Sequence, residues 1–234
     1  MIDRVYVARW VLPIAGPAIA HGAVLVRDGR IAWVGVVSDA PPGVRTDLGS
    51  CVLMPGMVNV HAHLELTAMR GLLEALPFRQ WILRLTHSRQ AVMTPAWRLA
   101  AARVGIAEGL FAGITSFGDV SDSGVSLDAM QALGVRGRVY QEVFGPDPSH
   151  CAGAIAGVRA QVGDLRARAN GLVDVGVSPH APYTVSDALF SATAALAREE
   201  GLPLTVHVAE GSAEDALVRA GSGEFADAWR ARGI

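Results

Sequence analysis

The chain has 234 residues, 51% of them hydrophobic, and a formal net charge of −2. This is ample apolar material for a core, and the sequence has no basic cluster of the kind that follows phosphates, so nucleic acid is not expected as a partner. All 20 basic residues are arginine. The absence of lysine excludes Schiff-base chemistry and P-loop phosphate binding.

The two cysteines, Cys51 and Cys151, form neither a disulfide framework nor a C-x-x-C pair. This pattern favours a reducing compartment. No segment approaches the roughly 20 consecutive apolar residues that a membrane helix needs. We therefore expect a cytoplasmic protein that does not contact a membrane.

Residues 1–54 are predicted to form short strands joined by turns. The apolar segments Ala23–Arg27 and Arg30–Val34 flank Asp28-Gly29, a strong signal for a two-residue hairpin turn. We interpret this region as a small antiparallel domain that precedes a different architecture.

From residue 55 to residue 234 the pattern alternates between strands and helices, which is typical of an α/β fold with a parallel sheet. The predicted strands are 57–62, 114–120, 137–144, 173–177 and 204–208. The predicted helices are 77–88, 95–111, 126–133, 149–169, 186–200 and one from about 212 to the end. A (β/α)₈ barrel needs eight such units, and about five are present, so we expect an incomplete barrel from the N-terminal portion of a longer protein.

Histidines lie in or just after three of the predicted apolar strands. His61 and His63 are one residue apart, and alternate residues of a strand share a face, so their side chains should project together. His180 follows the fourth strand, and His207 lies in the fifth, three residues before Glu210. Imidazole is a common metal ligand, although packed and hydrogen-bonded histidines are the alternative.

Five motifs in this order resemble the amidohydrolase superfamily. They are PGMVNVHAHLELTAMRG (55–71), LPFRQW (76–81), GITSFGD (113–119), SPHAPYTVS (178–186) and HVAE (207–210). The most similar branch contains deaminases and chlorohydrolases, including S-adenosylhomocysteine, methylthioadenosine and aminodeoxyfutalosine deaminases. The resemblance implies a metal-binding (β/α)₈ barrel beside a small β-sandwich, of which residues 1–54 would form a segment.

The resemblance also implies roles for individual residues. His61, His63 and His207 match metal ligands, Glu210 matches a proton-transferring carboxylate, and His180 matches a substrate contact. Trp81 matches an aromatic residue that lines the substrate pocket, although it is equally explained as a core residue of an amphipathic helix. Without lysine, a lysine-bridged pair of metals is excluded, so one divalent ion is expected, zinc or alternatively iron. The family's strand-6 histidine and strand-8 aspartate would lie beyond residue 234.

Two further carboxylates are predicted to contact substrate. Glu65 lies just after the first barrel strand, where the active face of a barrel is found, and capping of the next turn is its alternative role. Glu142 lies in an apolar strand, where a lone carboxylate is costly, so a structural ion pair is the alternative there.

Together these residues predict a metal-dependent aminohydrolase. A bound divalent ion would supply hydroxide to a C–NH₂ carbon of a purine-nucleoside-like or related heterocycle, and Glu210 would pass the proton to departing ammonia. A chlorohydrolase or cyclic-amide hydrolase with the same site is the first alternative. The second is a non-catalytic fragment, since the isolated chain would lack the water-activating aspartate. Such a chain is expected to be inactive and to associate through open sheet edges, and self-association of the whole protein is left open.

Overall fold

The structure is a computed structural model that describes residues 2–72 and 75–234. The chain divides into two compact units, residues 1–56 and residues 57–234. The strands of the first unit are β1 (Arg4–Val11), β2 (Ile19–Arg27), β3 (Arg30–Val36), β4 (Val44–Asp47) and β5 (Val52–Leu53). They form one sheet in the order β3-β2-β1-β4, with β5 also paired to β1.

The hairpin predicted in this first unit is present between β2 and β3. Asp28 and Gly29 have φ angles of 52° and 72°, which is what a two-residue hairpin turn of type I′ requires. Val5, Ala23 and Leu25 are buried on this sheet and form its small core.

The second unit contains a parallel sheet of four strands in the order β6-β7-β8-β9. The strands are β6 (Met57–Ala62), β7 (Ile114–Ser121), β8 (Arg136–Val143) and β9 (Val173–Pro179). The helices described in this unit are α1 (Phe78–Val92), α2 (Pro95–Phe111), α3 (Val125–Leu133), α4 (Cys151–Arg168), α5 (Asp187–Glu200), α6 (Ser212–Ala220) and α7 (Gly223–Arg230). The α/β class and the parallel sheet that the sequence predicts are thus confirmed.

The strands and helices of this unit share one apolar core. Phe117, Val139 and Val175 come from three neighbouring strands, while Ile106 and Leu189 come from helices, and all five are at most 2% exposed. Because the strands are parallel, their carboxyl ends lie at one edge of the sheet. The residues that follow β6, β8 and β9 therefore meet at that edge.

The fifth predicted strand, 204–208, is wrong as a regular element. Leu204 makes only an isolated parallel bridge to Val177, and the segment continues without regular strand structure. Val177 exchanges backbone hydrogen bonds with Pro203 and Thr205, at 3.0 and 3.2 Å. The next donor in a parallel ladder would be residue 179, which is proline and has no N–H, so the ladder stops there.

The C-terminal helix predicted from about residue 212 is two helices. Gly221 ends α6 with a φ of 55°, a left-handed conformation that glycine adopts without steric cost, and α7 starts two residues later. Within residues 2–72 and 75–234, no helix is both long enough and apolar enough to cross a membrane.

Candidate metal centre

The side chains of His61, His63 and His207 converge at the carboxyl edge of the sheet. The ring centroids are 5.1 Å apart for His61 and His63, 4.8 Å for His61 and His207, and 5.2 Å for His63 and His207. One nitrogen of each ring lies within 4.8 Å of the others, a spacing that allows all three to bind one ion. The structure therefore brings together the three histidines that match metal ligands in the family resemblance.

The hydrogen bonds of two of these rings identify the nitrogen that is free to bind a metal. His63 Nδ1 lies 3.0 Å from the carbonyl oxygen of Val120, and His207 Nδ1 lies 3.0 Å from that of His180. A carbonyl oxygen only accepts, so each Nδ1 carries the proton and each Nε2 presents a lone pair. Fixing the metal-binding nitrogen through the other ring nitrogen is the usual arrangement around a metal ion.

The two Nε2 atoms of His63 and His207 face each other at 3.1 Å. Two lone pairs at that distance repel unless a proton or a cation lies between them. Two nitrogens bound at 2.0–2.1 Å to one tetrahedral zinc ion would be roughly 3.3 Å apart, close to this separation. The donor set and its spacing thus fit a divalent ion such as zinc.

The protonation state of the histidines also suits metal binding. Burial, reinforced by the neighbouring His207, lowers the pKa of His63 to about 4 and holds the pKa of His61 below its usual value. Both rings are therefore neutral near pH 7, the form in which imidazole binds a metal.

Hydrogen bonds to two polar side chains hold the backbone around these ligands. Asp119, completely buried at the end of β7, accepts a 2.7 Å hydrogen bond from the backbone N–H of Leu64, next to His63. Asn59 accepts a 3.1 Å hydrogen bond from the N–H of His61. Both contacts fix the backbone beside a ligand.

Glu142, His180 and His207 make a second group with metal-ligand spacing. His207 has only one nitrogen to offer, because its Nδ1 donates to a carbonyl oxygen. That nitrogen, Nε2, lies 3.1 Å from Nε2 of His63. His207 would therefore bind the same ion as His61 and His63, and its Nε2 is not available to a second ion. Glu142 and His180 then remain as polar groups beside the metal position.

Glu142 and His180 present complementary hydrogen-bonding atoms, with Glu142 Oε1 3.8 Å from His180 Nε2. His180 Nδ1 lies 2.7 Å from Thr184 Oγ1, which donates to the carbonyl of Ala181, so Nδ1 donates to Thr184 and Nε2 is an acceptor. Burial lowers the pKa of His180 to about 3 and raises that of Glu142 to about 8. At neutral pH the pair therefore offers a neutral imidazole acceptor and a carboxylic-acid donor.

These groups line one cavity of about 530 Å³. Glu210 also lines it, and its Oε2 accepts a hydrogen bond from the hydroxyl of Tyr183. One wall is a single face of α1, at positions spaced by four and eight residues, with Trp81 and Leu85 apolar and Arg89 charged. The cavity thus combines metal ligands, a carboxylate, hydrogen-bonding groups and an aromatic wall.

Comparison with known proteins agrees with this arrangement. Residues 52–228 match the amidohydrolase family. The chain belongs to the amidohydrolase family.

A 5-methylthioadenosine/S-adenosylhomocysteine deaminase of Nitratidesulfovibrio vulgaris (strain Miyazaki F) is 35% identical to this amidohydrolase over 212 residues, which cover 85% of the chain and 46% of the relative. Among solved structures, an adenosine deaminase from Xanthomonas campestris with bound zinc is 26% identical, with a TM-score of 0.79 over 99% of this chain and 55% of that one. Helicobacter pylori aminofutalosine deaminase in complex with methylthio-coformycin is 19% identical, with a TM-score of 0.84 over 97% and 56%, which shows the shared fold. The chain spans about half the length of the curated relatives it matches.

The structure places Glu65 of this amidohydrolase behind the cavity wall. Its carboxylate is 3% exposed and lies 3.3 Å from Arg89 and 3.6 Å from Arg98, and it also accepts from the hydroxyl of Ser123. In the described part of the chain, Glu65 is not among the residues that line the cavity. The predicted substrate contact is therefore replaced by an ion-paired position that holds Arg89 in the wall.

Sequence reasoning missed three contributors to the amidohydrolase site: Tyr183, Arg89 and Glu214. Arg89 was open to detection, because it lies eight residues after Trp81 and so shares its helix face. Tyr183 lies inside the SPHAPYTVS motif, but nothing in the sequence shows that its hydroxyl reaches Glu210. Glu214 bonds to the backbone of the segment that carries Glu210, a contact that no periodicity predicts.

Proposed function

We propose that the protein to which this chain belongs is a metal-dependent aminohydrolase of purine-nucleoside-like or related heterocyclic amines. One observation carries the proposal: the Nε2 lone pairs of His63 and His207 face each other at 3.1 Å, in a cavity that also contains Glu210. The deaminase names of the curated relatives support the choice of reaction.

In this proposal His61, His63 and His207 hold one divalent ion, zinc in the first instance and iron as the alternative. When bound, the ion supplies a Lewis acid that lowers the pKa of water to about 7. The reaction adds water at the ring carbon that bears the amino group and releases ammonia. The rest of the chemistry depends on the side chains around that carbon.

Glu210 is assigned the proton transfer. Tyr183 occupies Oε2 of Glu210, which leaves Oε1 to take a proton from water and to pass it to the departing nitrogen. Burial and the hydrogen bond to Glu210 raise the pKa of the Tyr183 hydroxyl far above its usual range, so it stays a donor. Tyr183 thereby orients the carboxylate without competing for its proton.

Glu142 and His180 are assigned to the edge of the substrate ring. A neutral imidazole acceptor and a carboxylic-acid donor 3.8 Å apart match a heterocycle that carries an N–H next to a ring nitrogen. Trp81 is assigned to the face of the ring, because a flat aromatic wall can stack on a planar heterocycle.

We further propose that the barrel is incomplete in this chain and that the N-terminal sheet is part of a sandwich. The supporting observations are the share of each relative that the chain covers and the open edge of the sheet. On the edge strand β6, Val58 is 63% exposed and Val60 is 77% exposed, which is unusual for a barrel strand that has both neighbours. The isolated chain is accordingly proposed to be inactive and prone to associate.

The test measures ammonia release and bound metal together. The zinc-loaded chain is assayed with methylthioadenosine, S-adenosylhomocysteine and adenosine, alone and mixed with the part of the Nitratidesulfovibrio relative that the chain does not match. A cyclic amide and a chlorinated heteroaromatic compound are assayed in parallel, because they are the substrates of the alternative hydrolase reactions. Ammonia from a nucleoside only in the mixture supports both proposals, whereas full turnover by the chain alone with one tightly bound ion contradicts the incomplete site.

The metal assignment has its own control. His207→Ala should abolish stoichiometric zinc binding, whereas His150→Ala, which changes a 78% exposed histidine side chain, should leave it intact. Hydrolysis of the cyclic amide or dechlorination, without ammonia from any amine, would show that the deaminase assignment is wrong.

A further inference from the structure

Glu210 lies in a segment that no regular secondary structure holds. Residues 205–211 form neither helix nor strand, and Glu210 is exposed. Its neighbour Ala209 has a φ of 62°, a left-handed conformation that is unfavourable for a residue with a Cβ atom. Such conformations persist only where surrounding contacts impose them.

The contact that imposes it comes from Glu214. The carboxylate of Glu214 accepts two backbone hydrogen bonds, from the N–H of Ala209 at 2.9 Å and from the N–H of Glu210 at 2.7 Å. Glu214 is only 4% exposed, so both bonds are shielded from water. One buried carboxylate thus fixes the two peptide groups that set the direction of the Glu210 side chain.

This differs from ordinary helix capping. A glutamate at the third position of a helix usually bonds to the N–H of the N-cap residue, here Gly211. Glu214 reaches past Gly211 to the two residues before it. Its bonds therefore stabilise the turn that carries Glu210 and not only the first turn of α6.

We propose that Glu214 is a positioning residue for Glu210, which it holds against Tyr183 by fixing the backbone of Ala209 and Glu210. This inference rests on the proposed function, because Glu210 is there the proton-transferring group. The Tyr183 hydroxyl donates a hydrogen bond to the carboxylate at the far end of the Glu210 side chain. Backbone and side chain are then both fixed, and only Oε1 is left free.

The test compares Glu214→Gln with the double variant Glu214→Gln/Ala209→Gly. Glutamine keeps one acceptor but points an NH₂ group at the second N–H. We expect amide exchange at residues 209 and 210 to become about tenfold faster, the loss of a charge-assisted hydrogen bond. A crystal structure should show Glu210 withdrawn from Tyr183.

Glycine at position 209 separates positioning from simple protection. Glycine adopts positive φ without a Cβ penalty, so the double variant should regain the Glu210–Tyr183 contact although amide exchange stays fast. Glu224→Gln, a first-turn glutamate of α7, is the matched control and should match the wild type in both measurements. If Glu214→Gln fails to fold, Glu214→Asp, one methylene shorter, is expected to show the same displacement of Glu210.

Activity provides a separate readout. The activity measurement uses a preparation of the wild type that releases ammonia. There, Glu214→Gln should lower kcat at least about tenfold, with KM nearly unchanged and the metal content equal. The double variant Glu214→Gln/Ala209→Gly should regain part of kcat. The proposal would be overturned if Glu210 stayed hydrogen-bonded to Tyr183 in Glu214→Gln. It would also be overturned if the double variant regained neither the Glu210–Tyr183 hydrogen bond nor kcat. If the wild type releases no ammonia, the function is wrong, while the exchange and crystal measurements still decide the role of Glu214.

Discussion

Replacing Glu142 with glutamine should flatten the pH dependence of the free energy of unfolding. Glu142 is 6% exposed, and burial, with the nearby negative charge of Asp122, raises its pKa from the usual 4.5 to about 8. Glutamine has nearly the same shape as the protonated acid but cannot ionise. The substitution therefore removes one titration and little else.

The sign and size of the effect follow from linkage. Between pH 4.5 and 8 the unfolded chain has lost the Glu142 proton and the folded chain retains it, so stability falls as the pH rises. From pH 6.5 to 8.5 the loss from this one group is about 2 kcal/mol, at 1.36 kcal/mol for each pKa unit. Once the folded-state carboxyl ionises near pH 8, the decline levels off.

The assay is denaturant unfolding of the metal-free protein at pH 6.5, 7.5 and 8.5. His63 and His180 titrate in the unfolded chain near pH 6.5, and burial raises the pKa of Asp119 in the folded chain to about 7. These contributions are common to the wild type and Glu142→Gln, so they cancel in the difference between the two curves. Glu199→Gln changes a side chain that is 63% exposed and should keep the wild-type slope. Parallel curves for the wild type and Glu142→Gln would mean that Glu142 is ionised in the folded protein, and the assigned acid donor would be lost with it.

Three further substitutions test separate parts of the structure. Trp81→Ala should raise KM for a planar substrate about two- to tenfold through lost stacking, with Trp81→Phe intermediate, as steady-state kinetics would show. Asp119→Ala leaves the buried N–H of Leu64 unpaired and should cost about 1–3 kcal/mol in urea unfolding, whereas Asp119→Asn keeps an acceptor and should cost less; equal losses would contradict this. Val60→Glu places a charge on the open edge strand and should reduce self-association of the isolated chain in light scattering. No change would show that the chain does not associate through that edge.

The convergence of the three histidines was accessible from sequence because it needs few assumptions. Residues on alternate strand positions share a face, and parallel strands end at one edge, so strand-end histidines are expected to meet. The local order of the motifs then placed His61, His63 and His207 at that edge, where the structure has them. Topology predicts only that strand-end histidines gather at this edge; the choice of His61, His63 and His207 as the ligands comes from the family resemblance.

Glu65 shows where such reasoning fails. Its position just after a barrel strand predicts a carboxylate at the active face. Its partners Arg89 and Arg98, however, lie 24 and 33 positions further along the chain, on two helices. Only the packing of those helices decides whether the carboxylate faces the cavity or their guanidinium groups. Glu214 fails for a related reason, since its reach to residue 209 depends on a backbone conformation that propensities do not reveal.

The absence of a regular fifth strand in residues 204–208 shapes the metal site. Because Pro179 cannot donate, the segment after Thr205 leaves the register of the sheet, and His207 donates both its backbone N–H, at 2.9 Å, and its Nδ1–H, at 3.0 Å, to the single carbonyl of His180. A regular ladder would have paired residue 207 with the carbonyl of residue 179 instead. The interruption therefore couples the backbone of the proposed substrate contact to the orientation of a proposed metal ligand, and it releases the following residues into the turn that carries Glu210. The irregularity that defeats the strand prediction is thus the feature that builds this side of the site.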